Sequence, residues 1–149
     1  MARLDHIRIA GFKSIRDQEV ELRPLNVLIG ANGSGKSNFI GVFRLLHEIV
    51  SGRLQLYVAR TGGAEHILHY GRKATGALSL DLRFGRSEYL CELVPALSDS
   101  LVFAHESVLA RESEDSYQQE ILGTGQGDCP GARGCHGGDP QRLAGLPLS

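Results

Sequence analysis

The sequence predicts an α/β fold: an antiparallel hairpin, a buried strand running into a glycine-rich loop, one long helix, then an antiparallel β-meander. Three observations carry this. Leu25, Val27, Leu28 and Ile29 form a short, nearly continuous apolar run, the pattern of a strand covered on both faces of a sheet. Phe39, Val42, Phe43, Leu46, Ile49 and Val50 recur at helical spacing and set one apolar stripe on a helix over residues 35–51. Leu78, Leu80, Leu82 and Phe84 alternate with Ser79, Asp81 and Arg83, the period of a strand with one solvated face.

Taken in order, residues 4–10 read as a first strand, with Leu4, Ile7 and Ile9 apolar. Gly11, Phe12, Lys13, Ser14 and Ile15 follow as a connector. Residues 18–22 form a second strand, Glu19 and Glu21 outward, Val20 and Leu22 inward. Arg23-Pro24 breaks it, because proline has no N–H to give to a ladder. Two strands this close imply an antiparallel hairpin at the sheet edge.

The apolar run at 25–29 leads directly into Gly30-Ala31-Asn32-Gly33-Ser34-Gly35-Lys36-Ser37, which fits G-x-x-x-x-G-K-[ST]. Glycines at 30, 33 and 35 let the backbone curl through positive φ and approach a ligand closely. The curl aims successive N–H groups at a phosphate, and the helix that follows adds its positive N-terminal end. Lys36 brings a mobile charge to the β- and γ-phosphates of a nucleotide, and the Ser37 hydroxyl can ligate Mg²⁺. Strand, loop, helix is the order the motif requires. Gly52 is a natural C-terminal stop for the helix.

Beyond Gly52 residues 53–58 mix apolar and polar side chains without a clear period, and Thr61-Gly62-Gly63 reads as a turn. Residues 64–70 form a short helix or loop carrying His66 and His69, read as structural or exposed histidines. The strand at 77–84 turns at Gly85-Arg86-Ser87 and continues over 88–94 with Tyr89, Cys91 and Leu93 on one side. Residues 95–100 are a loop, 101–109 another strand, and 117–122 a short last one. Asp81 and Glu92 fall on the solvated face of their hairpin, so they are not read as a catalytic pair.

Composition bounds the rest. A chain of 149 residues builds one domain with a real core. Hydrophobic content of 42% and charged content of 22% are ordinary for a soluble globular protein. The net charge of −1 gives no basic, DNA-coating surface, although a local basic patch is compatible with it. No apolar run reaches the ~20 residues that span a bilayer, and Asp5 and Arg8 interrupt the N-terminus, so the expected compartment is the cytoplasm. Three cysteines, an odd count, argue against a disulfide framework. Cys129, Cys135 and His136 lack the spacing of a zinc site, so no metal is assigned to them. Glycine and proline make up 11 of the 27 residues from 123 to 149. That composition cannot bury enough apolar surface to order itself. The expected division is therefore a domain over 1–122 and a disordered tail over 123–149, whose Gly, Pro, Arg and Cys content is what a shifted frame of GC-rich DNA encodes.

Ile9-Ala10-Gly11-Phe12-Lys13-Ser14-Ile15 and then Asn26-Val27-Leu28-Ile29-Gly30-Ala31-Asn32-Gly33-Ser34-Gly35-Lys36-Ser37-Asn38 resemble the N-terminal half-head of ABC-type ATPases. The SMC and RecF-like ATPases, with the related bacterial AAA-type ATPases, look closest. The resemblance is strong over residues 1–50, softer to 109 and absent in the tail. It implies a P-loop NTPase half-domain with a mixed sheet. It also implies ATP and Mg²⁺ as ligands: Lys36 and Ser37 would hold phosphate and metal, Asn32 would lie near the γ-phosphate, and Lys13 and Ser14 would approach the base and sugar. Asn38 matches the family pattern, and a bond within the first helical turn is its local alternative. In such families ATP glues two heads into a homodimer, hydrolysis releases them, and nucleic acid is a possible partner.

Hydrolysis on this fold also needs a strand ending in acidic residues and a Ser/Gly-rich signature loop presented by a second subunit. The sequence holds no run of four apolar residues followed by Asp-Glu, and neither 61–63 nor the tail supplies the loop. No catalytic residue is therefore assigned. The two functional classes that follow are an ATPase head of the SMC or RecF-like kind, and a truncated, non-hydrolysing nucleotide-binding or interaction domain. A small P-loop kinase or GTPase is a third class, for which no lid arginines or base-specificity motif can be found.

Overall fold

The structure, a computed structural model, describes residues 3–113 and 116–123. Its elements are β1 (His6–Phe12), β2 (Ile15–Glu21), α1 (Lys36–Val50), α2 (Leu54–Thr61), α3 (Ala64–Ile67), β3 (Leu78–Phe84), β4 (Ser87–Pro95), β5 (Leu101–Ser113) and β6 (Ser116–Gly123). Of the tail expected over 123–149, Gly123 instead ends β6, and the rest, with Cys129, Cys135 and His136, lies outside the described residues.

All six strands form one sheet in the order β2-β1-β3-β4-β5-β6, and every pairing is antiparallel. The expected mixed sheet is therefore corrected. Short connections explain most of the ladder: Lys13-Ser14 joins β1 to β2 and Gly85-Arg86 joins β3 to β4, and a two-residue link permits only antiparallel neighbours. The long excursion through α1, α2 and α3 returns the chain to the other side of β1, again antiparallel, with Ile9 opposite Leu80. The supposed connector at 11–15 is thus a tight turn, and both strands of the first hairpin reach into it, Phe12 pairing Ile15. β2 is the edge strand, as the hairpin reading expected.

The period of two places Leu78, Leu80 and Leu82 in the core, with Phe84 packed at its rim. Ile7 and Ile9 from β1, Cys91 and Leu93 from β4, and Leu101 and Phe103 from β5 complete the sheet's buried face. The helices cover that face. Phe39, Val42, Leu45 and Ile49 point inward from α1, at the spacing of one helical stripe. Leu45 replaces Phe43 and Val50 in the expected stripe; Val50 is 73% exposed. The mixed stretch after Gly52 is helical: α2 buries Leu54, Tyr57 and Val58 and stops at Gly62, φ 96°. Eight residues with three inward positions make too short a stripe to stand out in sequence. Gly11 is a close-approach glycine. Its φ is 78°, and a Cβ there would sit 2.4 Å from the Ala77 carbonyl oxygen.

The apolar run at 25–29 is not a strand, which overturns the expectation of a doubly buried one. Leu25, Val27 and Ile29 are 81%, 72% and 90% exposed. Among the described residues none of 25–29 makes a backbone–backbone hydrogen bond. Asn26 instead folds the chain around Pro24, accepting from the Arg23 N–H at 2.9 Å and donating to the Arg23 carbonyl at 2.7 Å. The physical reason is topological. β1 has β2 on one side and β3 on the other, and the free edge of β2 is polar, with Arg16, Asp17, Gln18 and Glu19 exposed. A doubly buried strand needs apolar neighbours on both sides, and the sheet offers none.

Asp81 corrects the expectation of a fully solvated face. Its side chain is 23% exposed and its Oδ1 has no hydrogen-bond partner among the described residues. Burial, and then the Glu88 carboxylate, push its carboxyl above the ordinary 3.8, against the weaker pull of Arg83 at 3.7 Å. The folded state therefore binds this proton more tightly than the unfolded chain, and the stabilisation it contributes is lost as pH rises through the carboxylate range. Asp81→Asn is expected to melt above the wild type at pH 7, with the gap closing as pH falls toward about 4. Thermal melts at both pH values check this; a variant melting below wild type at pH 7 contradicts it.

Candidate functional site

The loop at 30–35 and the start of α1 are built by their glycines. Gly33 and Gly35 have φ of 83° and 92°, which turn the chain into the helix. Gly35 is the N-cap and has no side-chain cap bond, and the first turn carries no acidic residue. The first N–H groups of a 15-residue helix are thus left to an anion, with the helix dipole behind them. A Cβ at Gly30 would meet Ser34 Oγ at 2.6 Å, so that hydroxyl would have to turn away from it.

Lys36 lies folded across this loop. Its Nζ donates to the carbonyls of Gly30 (2.6 Å) and Ala31 (2.8 Å) and to Ser34 Oγ (3.2 Å). An ammonium has three donors, and all three are spent inside the loop. The positive charge is therefore already held where the glycine curl would receive a phosphate. The donor set fits a nucleotide's phosphates: a lysine, positive-φ glycines and an uncapped helix start. The adjacent Ser37 hydroxyl suits a hard cation such as Mg²⁺.

The turn between β1 and β2 is tied to the same helix start. Asn38 Nδ2 donates to Ser14 Oγ at 2.7 Å, across 24 residues of sequence. This replaces the bond within the first helical turn that Asn38 could have made. Ser14 Oγ also lies 3.3 Å from the Cβ position of Gly35. Lys13 holds φ 48°, which costs a non-glycine residue energy unless its neighbours enforce it. They do: its N–H donates to the Ile67 carbonyl at 2.8 Å, and His69 Nδ1 donates to its carbonyl at 2.6 Å. The Lys13 ammonium lies 5.5 Å from the Phe12 ring centroid. Lys13 and Ser37 line one cavity.

Contacts and a shared cavity thus link Lys13, Ser14, Gly35, Ser37 and Asn38, and a second set of contacts links Gly30, Ser34 and Lys36. Asn32 stands at an exposed turn, apart from both groups. His69 bears out its structural reading, in a role that the sequence did not specify. It positions Lys13 through its backbone, and no spacing in the sequence signals a contact between residues 56 apart.

A family model described as an AAA ATPase domain matches residues 3–114, well over half of the chain. None of the curated proteins compared matches it. No helix among the described residues is long and apolar enough to cross a membrane.

Proposed function

The chain belongs to the AAA ATPase domain family, and we propose that it binds Mg-ATP at its P-loop. The observation that supports this best is the uncapped N-terminus of α1, entered through two positive-φ glycines with Lys36 folded over the curl. In this reading the backbone of 30–35 cradles the phosphates, Lys36 exchanges its carbonyl partners for phosphate oxygens, and Ser37 ligates the metal. Asn38 and Ser14 hold the β1–β2 turn against the helix, so that Lys13 and Ser14 flank the nucleoside end. Asn32, at its exposed turn, would face the γ-phosphate. An ATP-dependent role suits a cytoplasmic setting.

Membership supports the coarser function of an ATP-binding ATPase domain. The finer proposal is that this P-loop works as the SMC and RecF-like heads do, with ATP joining two heads into a homodimer. Turnover needs a carboxylate to place water and a partner loop to stabilise charge on the γ-phosphate. The residues assigned here bind and orient the nucleotide, and none of them is a general base.

Metal dependence tests the site. Mg-ATP is expected to raise the melting temperature of the wild type, since a ligand at about a hundred times its Kd adds about 2.7 kcal/mol to a one-site fold. Chelation with EDTA, or Ser37→Ala with Mg²⁺ present, is expected to shrink the shift. Equal shifts in all three samples would remove Ser37 and the metal from the site. Sedimentation velocity with and without ATP tests head pairing: a dimer appearing only with ATP supports it, whereas ATP bound by a monomer leaves a nucleotide-binding domain alone.

A further inference from the structure

Between α1 and α2 lies a cavity of about 320 Å³, at the lower end of the range for small-ligand sites. Three separate elements send a cation to it: Lys13 from the β1–β2 turn, Arg44 from α1 and Arg60 from the end of α2. None of the three has an ion-pair partner among the described residues. Elsewhere in the fold arginines facing acids are paired, Arg8 with Asp17 at 2.8 Å and Arg83 with Glu88 at 3.1 Å. The cavity has one carboxylate, Glu48, and it is already engaged: Arg53 Nε donates to it at 2.8 Å and holds its carboxyl below the ordinary range. Tyr57 and Thr61 add polar surface, with Thr61 Oγ1 donating to the Tyr57 carbonyl at 2.8 Å.

This set of groups has a clear chemical preference. Three cations against one occupied acid leave a positive excess in a partly enclosed space, where charge is screened less than at an open surface. Arginine forks match tetrahedral oxyanions in pairs of hydrogen bonds. The cavity borders the P-loop at Ser37, and its arginines lie farther along. Arg44 follows Ser37 by seven residues on one helix, a rise of roughly 10 Å.

We propose that this cavity is a second anion site, which takes a phosphate group that does not belong to the P-loop nucleotide. Arg44 and Arg60 grip its oxygens, and Lys13 stays with the nucleotide side of the cavity. A phosphodiester strand and free inorganic phosphate offer the same chemistry, and the test separates them. The site does not depend on nucleotide binding at Lys36.

The experiment uses the full chain as wild type, Lys36→Ala and the double variant Arg44→Gln/Arg60→Gln. Both arginines are exposed, and melting curves verify that each variant folds. The probes are a short fluorescein-labelled oligothymidylate, read by anisotropy, and inorganic phosphate, read by calorimetry. Wild type and Lys36→Ala are expected to bind alike, and the double variant at least about 10-fold more weakly. If the strand is the source, the slope of log affinity against log salt falls by about 1.4 in the double variant. If phosphate alone binds in an arginine-dependent way and the strand does not, the source is free phosphate. The proposal is overturned if neither probe binds the wild type, if the double variant binds both as tightly as wild type, or if Lys36→Ala removes binding. It is also overturned if the double variant loses the Mg-ATP thermal shift, because the cavity would then be part of the nucleotide site. A missing ATP shift in wild type, with arginine-dependent phosphate binding intact, would instead count against the P-loop reading alone.

Discussion

Lys36→Ala is expected to abolish most of the Mg-ATP-induced rise in melting temperature while leaving the unliganded protein folded. The side chain makes three hydrogen bonds, and all of them lie within the loop. They tie the loop and touch no part of the core, so their loss costs the unliganded fold about 1 kcal/mol or less. Nucleotide binding suffers more. The substitution removes the only cation folded into the curl among the described residues, and a charge-assisted bond to phosphate contributes about 1.5–3 kcal/mol. That corresponds to a loss of roughly 10- to 100-fold in affinity. Calorimetry on the two proteins, or thermal shift across a range of ATP concentrations, measures it. Equal responses would place ATP elsewhere on the molecule.

Leu80→Asp is expected to unfold the domain. Leu80 is 1% exposed in the middle of β3, opposite Ile9 on one side and Cys91 on the other. A carboxylate there would be buried without a partner, at a cost of several kcal/mol, which is comparable with the whole stability of a small domain. Ser79→Asp is the control, one residue away and on the opposite face. It lies directly across from Glu92, so a second acid adds like-charge repulsion of a few tenths to about 1 kcal/mol and no more. Circular dichroism melts separate the cases: a lost transition for Leu80→Asp and a small shift for Ser79→Asp. A cooperative, wild-type-like transition for Leu80→Asp would mean that the faces of β3 are assigned the wrong way round.

The elements that could be read without the structure are those set by contacts within a few residues. The alternation at 78–84 needed only the pleat of a strand. The helix after Gly35 needed only its period, although Leu45, Phe43 and Val50 show how loosely a stripe is drawn when both faces of a helix carry apolar residues. The turn into the helix was legible because glycines at 33 and 35 take conformations that most residues avoid, so composition and backbone shape are coupled there. The hairpin at the N-terminus was legible for its pairing, and its turn was missed because Lys13 adopts positive φ without being glycine.

By itself, then, the sequence determined the glycine-rich loop, the helix that follows it and the antiparallel meander, because local periodicity and backbone sterics act over distances shorter than one element. The tertiary structure decided everything that depends on who the neighbour is. It left 25–29 uncovered, because apolar composition states what a strand would bury and not whether another strand stands beside it. It joined Ser14 to Asn38 and His69 to Lys13, pairs 24 and 56 residues apart that no spacing rule connects. It also brought Lys13, Arg44 and Arg60 to one cavity. Each of those cations, read along the chain, is an ordinary solvated side chain, and only the packing of α2 beside α1 brings the three together.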